Sequence, residues 1–463
     1  MRRSIALGLL SALTAQVEAM DLVAAFERAL DSDRQLAAAR YERQAVAAER
    51  PLARAAYLPQ ILVSAAIGCE RQEQSTREDS GASPAPARDC AEVFGAETAR
   101  TEDIAAELSQ PVIDAPAWLA MARAERSVAR AGIRLADAEQ ALLLRVARAY
   151  FDVLAADDAL RFALTERDAV TEQRELAEQR FEVGLSAITD VQEAQARFDL
   201  TIARGLEAAQ ALFDARDALQ EIIDRRPRAL ARPDTAFATP PPEPAELAPW
   251  IERARSRNLS LRIAELDAEL AARDIAIARA GRWPRLDLQA RYGRSEQPGF
   301  VLSTDSRRIG LSLEIPVFTG GRISAQVDQA AAIADQRDAE REAALRSVLR
   351  TARNGFQSIR TSRARVAALE KAVRSNETAL AAAEAGVEVG TRTTVDVLDA
   401  QQTLFGARSD LSRARYDYML AVLELERAAG SLGPDDLLRI NELLGPGEPL
   451  LESAVVEAEL MRQ

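Results

Sequence analysis

The chain has 463 residues, with 72 acidic against 59 basic side chains, a net charge of −13; such a balance argues against the phosphate backbone of nucleic acid as a partner. Histidine is absent and cysteine occurs twice, which removes the commonest general base and metal ligand and leaves too few soft ligands for a tetrahedral zinc site. No Gly-rich phosphate loop or serine nucleophile elbow stands in the sequence, so neither an enzyme nor a bound cofactor or metal is expected.

The N-terminus reads as a secretory leader over residues 1–19: Met1, Arg2 and Arg3 precede an apolar run from Ile5 to Leu13, and Val17-Glu18-Ala19 forms a small-x-small cleavage site. Cleavage after Ala19 would remove two arginines and one glutamate and leave the mature chain slightly more acidic. Beyond it no run of about 18 apolar residues follows. The two cysteines, Cys69 and Cys90, lie far from the place a lipid-bearing cysteine would take.

The remainder repeats. Tyr57-Leu58-Pro59-Gln60-Ile61 is echoed by Arg282-Trp283-Pro284-Arg285-Leu286, Leu108-Ser109-Gln110-Pro111-Val112 by Leu313-Glu314-Ile315-Pro316-Val317, and Val183-Gly184-Leu185 with Asp190-Val191 by Val389-Gly390-Thr391 with Asp396-Val397. The expected organisation is a first repeat over 20–224, a Pro-rich surface linker over 225–249, a second repeat over 250–430 and a C-terminal tail over 431–463. Pro240-Pro241-Pro242-Glu243-Pro244 cannot continue a helix. From Gly445 onward an acidic end is compatible with either a helix or disorder.

In each repeat the hydrophobic period switches from helix to strand and back. Ile61, Val63, Ala65 and Ile67 form one apolar row and Ile104, Ala106 and Leu108 another; in the second repeat Leu286, Leu288, Ala290 and Tyr292, then Ile309, Leu311, Leu313 and Ile315, alternate with polar residues. These are strands of about 8 to 10 residues with two unlike faces, close to what crosses a bilayer when tilted. Alternation alone fits a soluble sheet equally well. Four strands, however, leave two open edges that hydrocarbon forbids, and even a small barrel needs about eight strands, so a membrane reading requires several copies to share one barrel. The connections expected from Gly68 to Arg100 and from Gly293 to Ser306 are polar, as suits an outside face. Cys69 and Cys90 sit in the longer one; a secreted chain is expected to pair them, the alternative being two free thiols.

Trp118 to Glu182 contains no proline and reads as a helix of about 100 Å. In the last long helix Val397, Leu404, Leu411, Tyr418 and Leu425 recur every seven residues, with Ala400, Ala407, Ala414, Ala421 and Ala428 in the complementary row. That is a heptad seam in which alanine permits close approach and left-handed supercoiling. Val191, Ala194, Phe198, Thr201, Gly205, Ala208, Leu212, Ala215, Leu219 and Ile222 repeat it less strictly. Between the long helices, Gly184 and Gly390 suit a left-handed helix end, with Thr189 and Thr394 near the start of the next helix; by themselves these spacings describe a helix hairpin. Asp396 and Asp399, three apart, share a helix face, where a first-turn aspartate ordinarily complements the dipole.

The order helix, strand, strand, long helix, tip turn, long helix, twice over, resembles the TolC family of outer membrane channels over nearly the whole mature chain. The residues that carry the likeness are Arg180-Phe181-Glu182-Val183-Gly184-Leu185-Ser186-Ala187-Ile188-Thr189-Asp190-Val191-Gln192, Val389-Gly390-Thr391-Arg392-Thr393-Thr394-Val395-Asp396-Val397-Leu398-Asp399-Ala400, Ile315-Pro316-Val317-Phe318-Thr319-Gly320-Gly321-Arg322 and Asn258-Leu259-Ser260-Leu261. The resemblance implies a mainly α protein with membrane β structure: a homotrimer in outer membrane lipid whose strands form a 12-stranded β-barrel, continuous with a long periplasmic coiled-coil α-barrel. It also implies passive export of small molecules or proteins, with a periplasmic adaptor and an inner membrane transporter of the resistance-nodulation-division, ABC or major facilitator type as partners. On the matching residues, Asp396 and Asp399 become acidic rings at the pore constriction, with carboxylate pKa values raised by like-charge repulsion. Arg392, Thr189 and Asp190 become links of the closed gate. The tip turns, with Gly184, Leu185, Val191, Gly390, Thr391 and Val397, become the adaptor-docking surface. One departure stands out: the family's gate tyrosine falls at Val387, which has no hydroxyl to donate. The rival reading, a periplasmic coiled-coil adaptor or scaffold, explains the helices and the leader but not four membrane-length strands.

Overall fold

The computed structural model describes residues 19–71, 98–184, 186–233, 237–297 and 302–461. The leader residues 1–18, Cys90 and Leu185 lie outside the described residues. The first repeat runs α1 (Leu22–Ser32), α2 (Arg34–Ala47), α3 (Glu49–Ala55), β1 (Gln60–Arg71), β2 (Thr98–Ile113), α4 (Ala115–Glu182) and α5 (Ile188–Ile223). A short strand β3 (Ala229–Pro233) leads to the second repeat, α6 (Leu247–Arg257), α7 (Leu259–Ala280), β4 (Arg285–Gln297), β5 (Leu302–Glu314), α8 (Arg322–Glu388) and α9 (Thr394–Ala429); α10 (Pro434–Asn441), β6 (Leu444–Pro449) and α11 (Ser453–Leu460) close the chain. Two units pack separately: Tyr41–Ile133 with Ile263–Ala343 in one, and the chain up to Arg40, Arg134–Arg262 and Ala344–Gln463 in the other.

The first unit holds a four-stranded antiparallel sheet in the order β1-β2-β4-β5. Its register aligns Ile61 with Leu108, Leu108 with Ala290 and Ala290 with Ile309. Because side chains alternate along a strand, the four apolar rows read from the sequence therefore fall on one face, and Ser64, Glu107, Arg291, Ser306 and their neighbours fall on the other. The strands are 12, 16, 13 and 13 residues long, longer than expected. Pairing continues to Arg71 opposite Thr98 and to Gln297 opposite Leu302, so much of what reads as loop is ladder. Antiparallel hydrogen bonding needs no apolar side chain, and the alternation that marks a strand in sequence stops before the ladder does. At Pro111, which has no N–H to donate, the register to β4 shifts before Ile113. Arg123 on α4 binds Asp274 on α7 through two nitrogens (2.5 and 3.2 Å), and Arg130 pairs with Asp267 one level further along α4.

The helices α4 and α8 are 68 and 67 residues long, about 100 Å each. Pro116 sits in the first turn of α4, where its missing N–H costs nothing. Along α9 most of the expected seam is buried, Val397, Leu404, Tyr418 and Leu425 with Ala414, Ala421 and Ala428, while Leu411, Ala400 and Ala407 are half-buried.

In the second unit, residues of the expected linker 225–249 and tail 431–463 carry regular structure of their own. Ala229–Pro233 forms β3 and pairs antiparallel with β6, while Met20 bridges to Leu230 in parallel. Ala229, Leu230 and Ala231 are buried, as are Leu450, Val456 and Leu460 beyond β6. A Pro-rich composition hid this short apolar strand. Tyr150 in α4, its hydroxyl pKa raised by burial, donates toward the carbonyls of Ala231 (2.8 Å) and Met20 (3.0 Å). Beside it the fully buried Asp157 accepts from Arg161 (2.7 Å), from the Leu451 amide (2.7 Å) and from Arg232. Arg232 also holds Asp158, which accepts from the Tyr416 (2.7 Å) and Ser412 hydroxyls of α9. Arg216, also buried, donates to the Pro227 and Leu451 carbonyls (both 2.9 Å).

Removing one partner of a buried pair strands the other's charge. Arg232→Ala is therefore expected to destabilise the protein by about 3–5 kcal/mol, seen as a lower urea midpoint of the helical circular dichroism signal in detergent. An unchanged midpoint would show that water or relaxation satisfies Asp157 and Asp158 without it.

Candidate functional site

Chemistry-bearing residues gather at the two turns that join α4 to α5 and α8 to α9. Both turns reverse through a glycine in the left-handed region, Gly184 at φ +74° and Gly390 at φ +76°, a conformation that costs any other L-residue about 1–2 kcal/mol. Gly184 donates to the Phe181 carbonyl (2.9 Å) and Gly390 to that of Val387 (3.2 Å). In the second turn the amides of Thr391 (2.8 Å) and Arg392 (3.1 Å) both reach the Gly386 carbonyl.

The following helices start differently. α5 begins after Ala187 with no side-chain cap, leaving Thr189 exposed and Asp190 half-buried in the first turn. α9 begins with a full capping box: Thr393 Oγ1 accepts from the Asp396 amide (3.3 Å), and the Asp396 carboxylate accepts from the Thr393 amide (2.8 Å) and hydroxyl (2.9 Å). Thr393 at the N-cap with an acid at N3 is a sequence-legible signature, and Thr394, expected near the helix start, is the first residue of α9. These bonds, with Arg392 3.4 Å away, hold the Asp396 carboxyl below the ordinary aspartate value. Within one chain that runs opposite to the rise expected from like-charge repulsion, because the cap favours the ionised form and no second carboxylate competes with it.

Arg392 is thus an i,i+4 partner of Asp396 inside the chain, and its stem lies against Gly386, where an added Cβ would meet Arg392 Cγ at 2.5 Å. Asp399 is bridged by Arg197 of α5 at 2.6 Å. No spacing rule exposes that pair, since its members lie far apart in the chain. Leu398 packs with Val170, Ala177, Ala194 and Phe198, so the second hairpin's tip rests on the first. Val397 is buried in the heptad seam, and cannot offer its side chain to a docking partner; Gly184, Gly390 and Thr391 are exposed and Val191 half-buried. Cys69, near the end of β1, is disulfide-bonded, while Cys90 falls outside the described residues.

The four-stranded sheet carries a second signal that the sequence reading missed. Trp118 just after β2, Trp283 just before β4 and Phe318 just after β5 all stand at the helix-side ends of their strands, 48%, 62% and 88% exposed. Amphipathic and aromatic rings in such a row are the mark of a membrane–water interface. No helix among the described residues is long and apolar enough to cross a membrane, and no group of three or more acidic, histidine or cysteine residues among them could hold a metal.

A family model described as "Outer membrane efflux protein" matches residues 25–224 and 250–431. The chain is 36% identical over 442 residues to the outer membrane protein TolC of Vibrio cholerae, covering 93% of this chain and 95% of that protein. It is 30% identical over 437 residues to the proteases secretion protein PrtF of Dickeya chrysanthemi, covering 91% of each. Its fold matches the crystal structure of the outer membrane protein VceC from Vibrio cholerae with a TM-score of 0.71 at 20% identity, covering 88% of this chain and 96% of that one. The chain belongs to the outer membrane efflux protein family, a family of transport channels rather than enzymes, and is itself an outer membrane protein.

Proposed function

We propose that the chain is the outer membrane exit duct of an efflux or secretion system, three copies closing one 12-stranded barrel. The observation that carries this reading is the register of the four strands, which lines Ile61, Leu108, Ala290 and Ile309 up across one face. With both sheet edges open, hydrocarbon contact demands closure with further copies. Helices of about 100 Å are long enough to reach across a periplasm towards an adaptor and an inner membrane transporter, of the resistance-nodulation-division, ABC or major facilitator class. The family model is described as an efflux protein and one relative is named as a proteases secretion protein, so both small-molecule and protein cargo fit the duct. A coiled-coil scaffold leaves the one-sided apolar sheet and its aromatic rim without a use.

At the tip, threefold repetition would set Asp396 and Asp399 around the pore axis. Arg392, half free of its own Asp396, would reach Thr189 and Asp190 of the neighbouring chain as a charge-assisted link, the more important because Val387 supplies no hydroxyl. The exposed turns at Gly184 and at Gly390 and Thr391, together with Leu185 and Val191, form the surface we assign to adaptor docking. Cys69 with Cys90 would close the loop outside the barrel.

Purified in detergent, the protein is expected to have a trimer's mass and to form small, stable channels in planar bilayers; a monomer without conductance would return the scaffold reading. Arg392→Ala should raise the single-channel conductance, and an unchanged value would remove Arg392 from the gate. A trivalent cation added on the tip side should block the channel, and Asp396→Asn with Asp399→Asn should abolish the block. Because the capping bonds depress the Asp396 pKa, its charge is lost only as pH falls through that lowered value. Block should therefore persist from about pH 7 to about pH 5; loss within that window would show that repulsion between copies outweighs the cap.

A further inference from the structure

We propose that Arg197 sets the charge of the pore entrance and fastens the second hairpin of each chain to the first; this rests on the reading of Asp396 and Asp399 as the constriction. Arg197 lies seven residues beyond Asp190, hence on the same stripe of α5. Its guanidinium forks between two acceptors of α9: Nη2 donates to Asp399 Oδ1 at 2.6 Å and Nη1 to Gln402 Oε1 at 2.7 Å. Asp399 and Gln402 are three apart and share a helix face, which matches the planar fork and leaves lysine a poor substitute for its geometry.

The residue beneath fixes the fork in place. Phe198 is 7% exposed among Val170, Ala177, Ala194 and Leu398, with the Arg174 guanidinium 4.4 Å over its ring. The Arg197 side chain is 30% exposed, whereas that of Arg392 in the second tip turn is 60% exposed and stands 3.4 Å from its carboxylate. Arg197 is thus the better-held cation. Each chain brings two carboxylates to the entrance, and one of them carries a close, doubly anchored counter-charge. Asp396 is tied by neutral donors of Thr393 and by the longer, more exposed contact with Arg392 at 3.4 Å, and so keeps more of its charge for a passing ion. Threefold repetition then makes one effective acidic ring from two rows of aspartate. The same bridge supplies a link between hairpins in a chain whose Val387 cannot form one.

The test is block by lanthanum(III) on the tip side in planar bilayers, with reversal potentials in a salt gradient, on full-length protein shown to be trimeric by unheated gel migration. Arg197→Gln should tighten block by about tenfold or more, since a cation leaves the ring at close range, and should shift the reversal potential toward cation selectivity. Arg197→Lys keeps the charge and should stay within about threefold of the parent. Asp399→Asn alone leaves the Arg197 charge unanswered and should weaken block by about tenfold, whereas added to Arg197→Gln it should return block to within about threefold of the parent. If Arg197→Gln fails to assemble, Gln402→Leu, which releases one side of the fork, should shift block in the same direction. Unaltered block and selectivity in Arg197→Gln, or unaltered block in Asp399→Asn alone, would overturn the proposal. Block that survives Asp396→Asn combined with Asp399→Asn would instead bring down the constriction reading, and the role of Arg197 with it.

Discussion

A four-stranded sheet with one apolar face presents rows of backbone N–H and C=O groups along β1 and β5, and hydrocarbon offers those groups no partners. Much of the chain follows from that demand. The strands must be duplicated, hence two repeats; each apolar row must share a face, hence the strict register across all four strands. In the proposed barrel the aromatic residues at the helix-side strand ends would mark where the apolar solvent stops, and the polar opposite face, with Glu107, Arg291 and Arg308, would line a water-filled interior.

Helix packing answers a different constraint. Rows of alanine at Ala414, Ala421 and Ala428 bring helices close without large side chains to specify depth, so the tip needs other devices to fix its alignment. The structure supplies them as polar forks and caps: Thr393 with Asp396, and Arg197 with Asp399 and Gln402. The two tip turns are unequal, one capped and one not, even though their sequences descend from one unit.

What the sequence made legible was periodic. The heptad row from Val397 to Leu425, the glycines of both tip turns and the four apolar strand rows all rest on spacing, and all have their expected places. What escaped it was non-periodic or distant. Ala229-Leu230-Ala231 is too short to stand out among the seven prolines of residues 225–249, yet it is buried; the ladder of β4 and β5 continues through Arg294, Ser295 and Thr304, where no alternation marks it; Arg197 meets Asp399 only because two helices pack together there. The Asp396 carboxyl shows a third kind of difficulty. Its pKa depends on whether its nearest neighbours are donors of its own chain or carboxylates of other copies, and the sequence carries no distance.

The pairing of Met20 with Leu230, and of β3 with β6, has a topological consequence. Segments before α1, between the repeats and after α10 meet in one small sheet of the second unit, tied by Tyr150, Arg216 and Arg232. Each repeat is therefore flanked by strands that need partners from outside it, and cutting the chain between the repeats would leave both halves holding unpaired backbone groups.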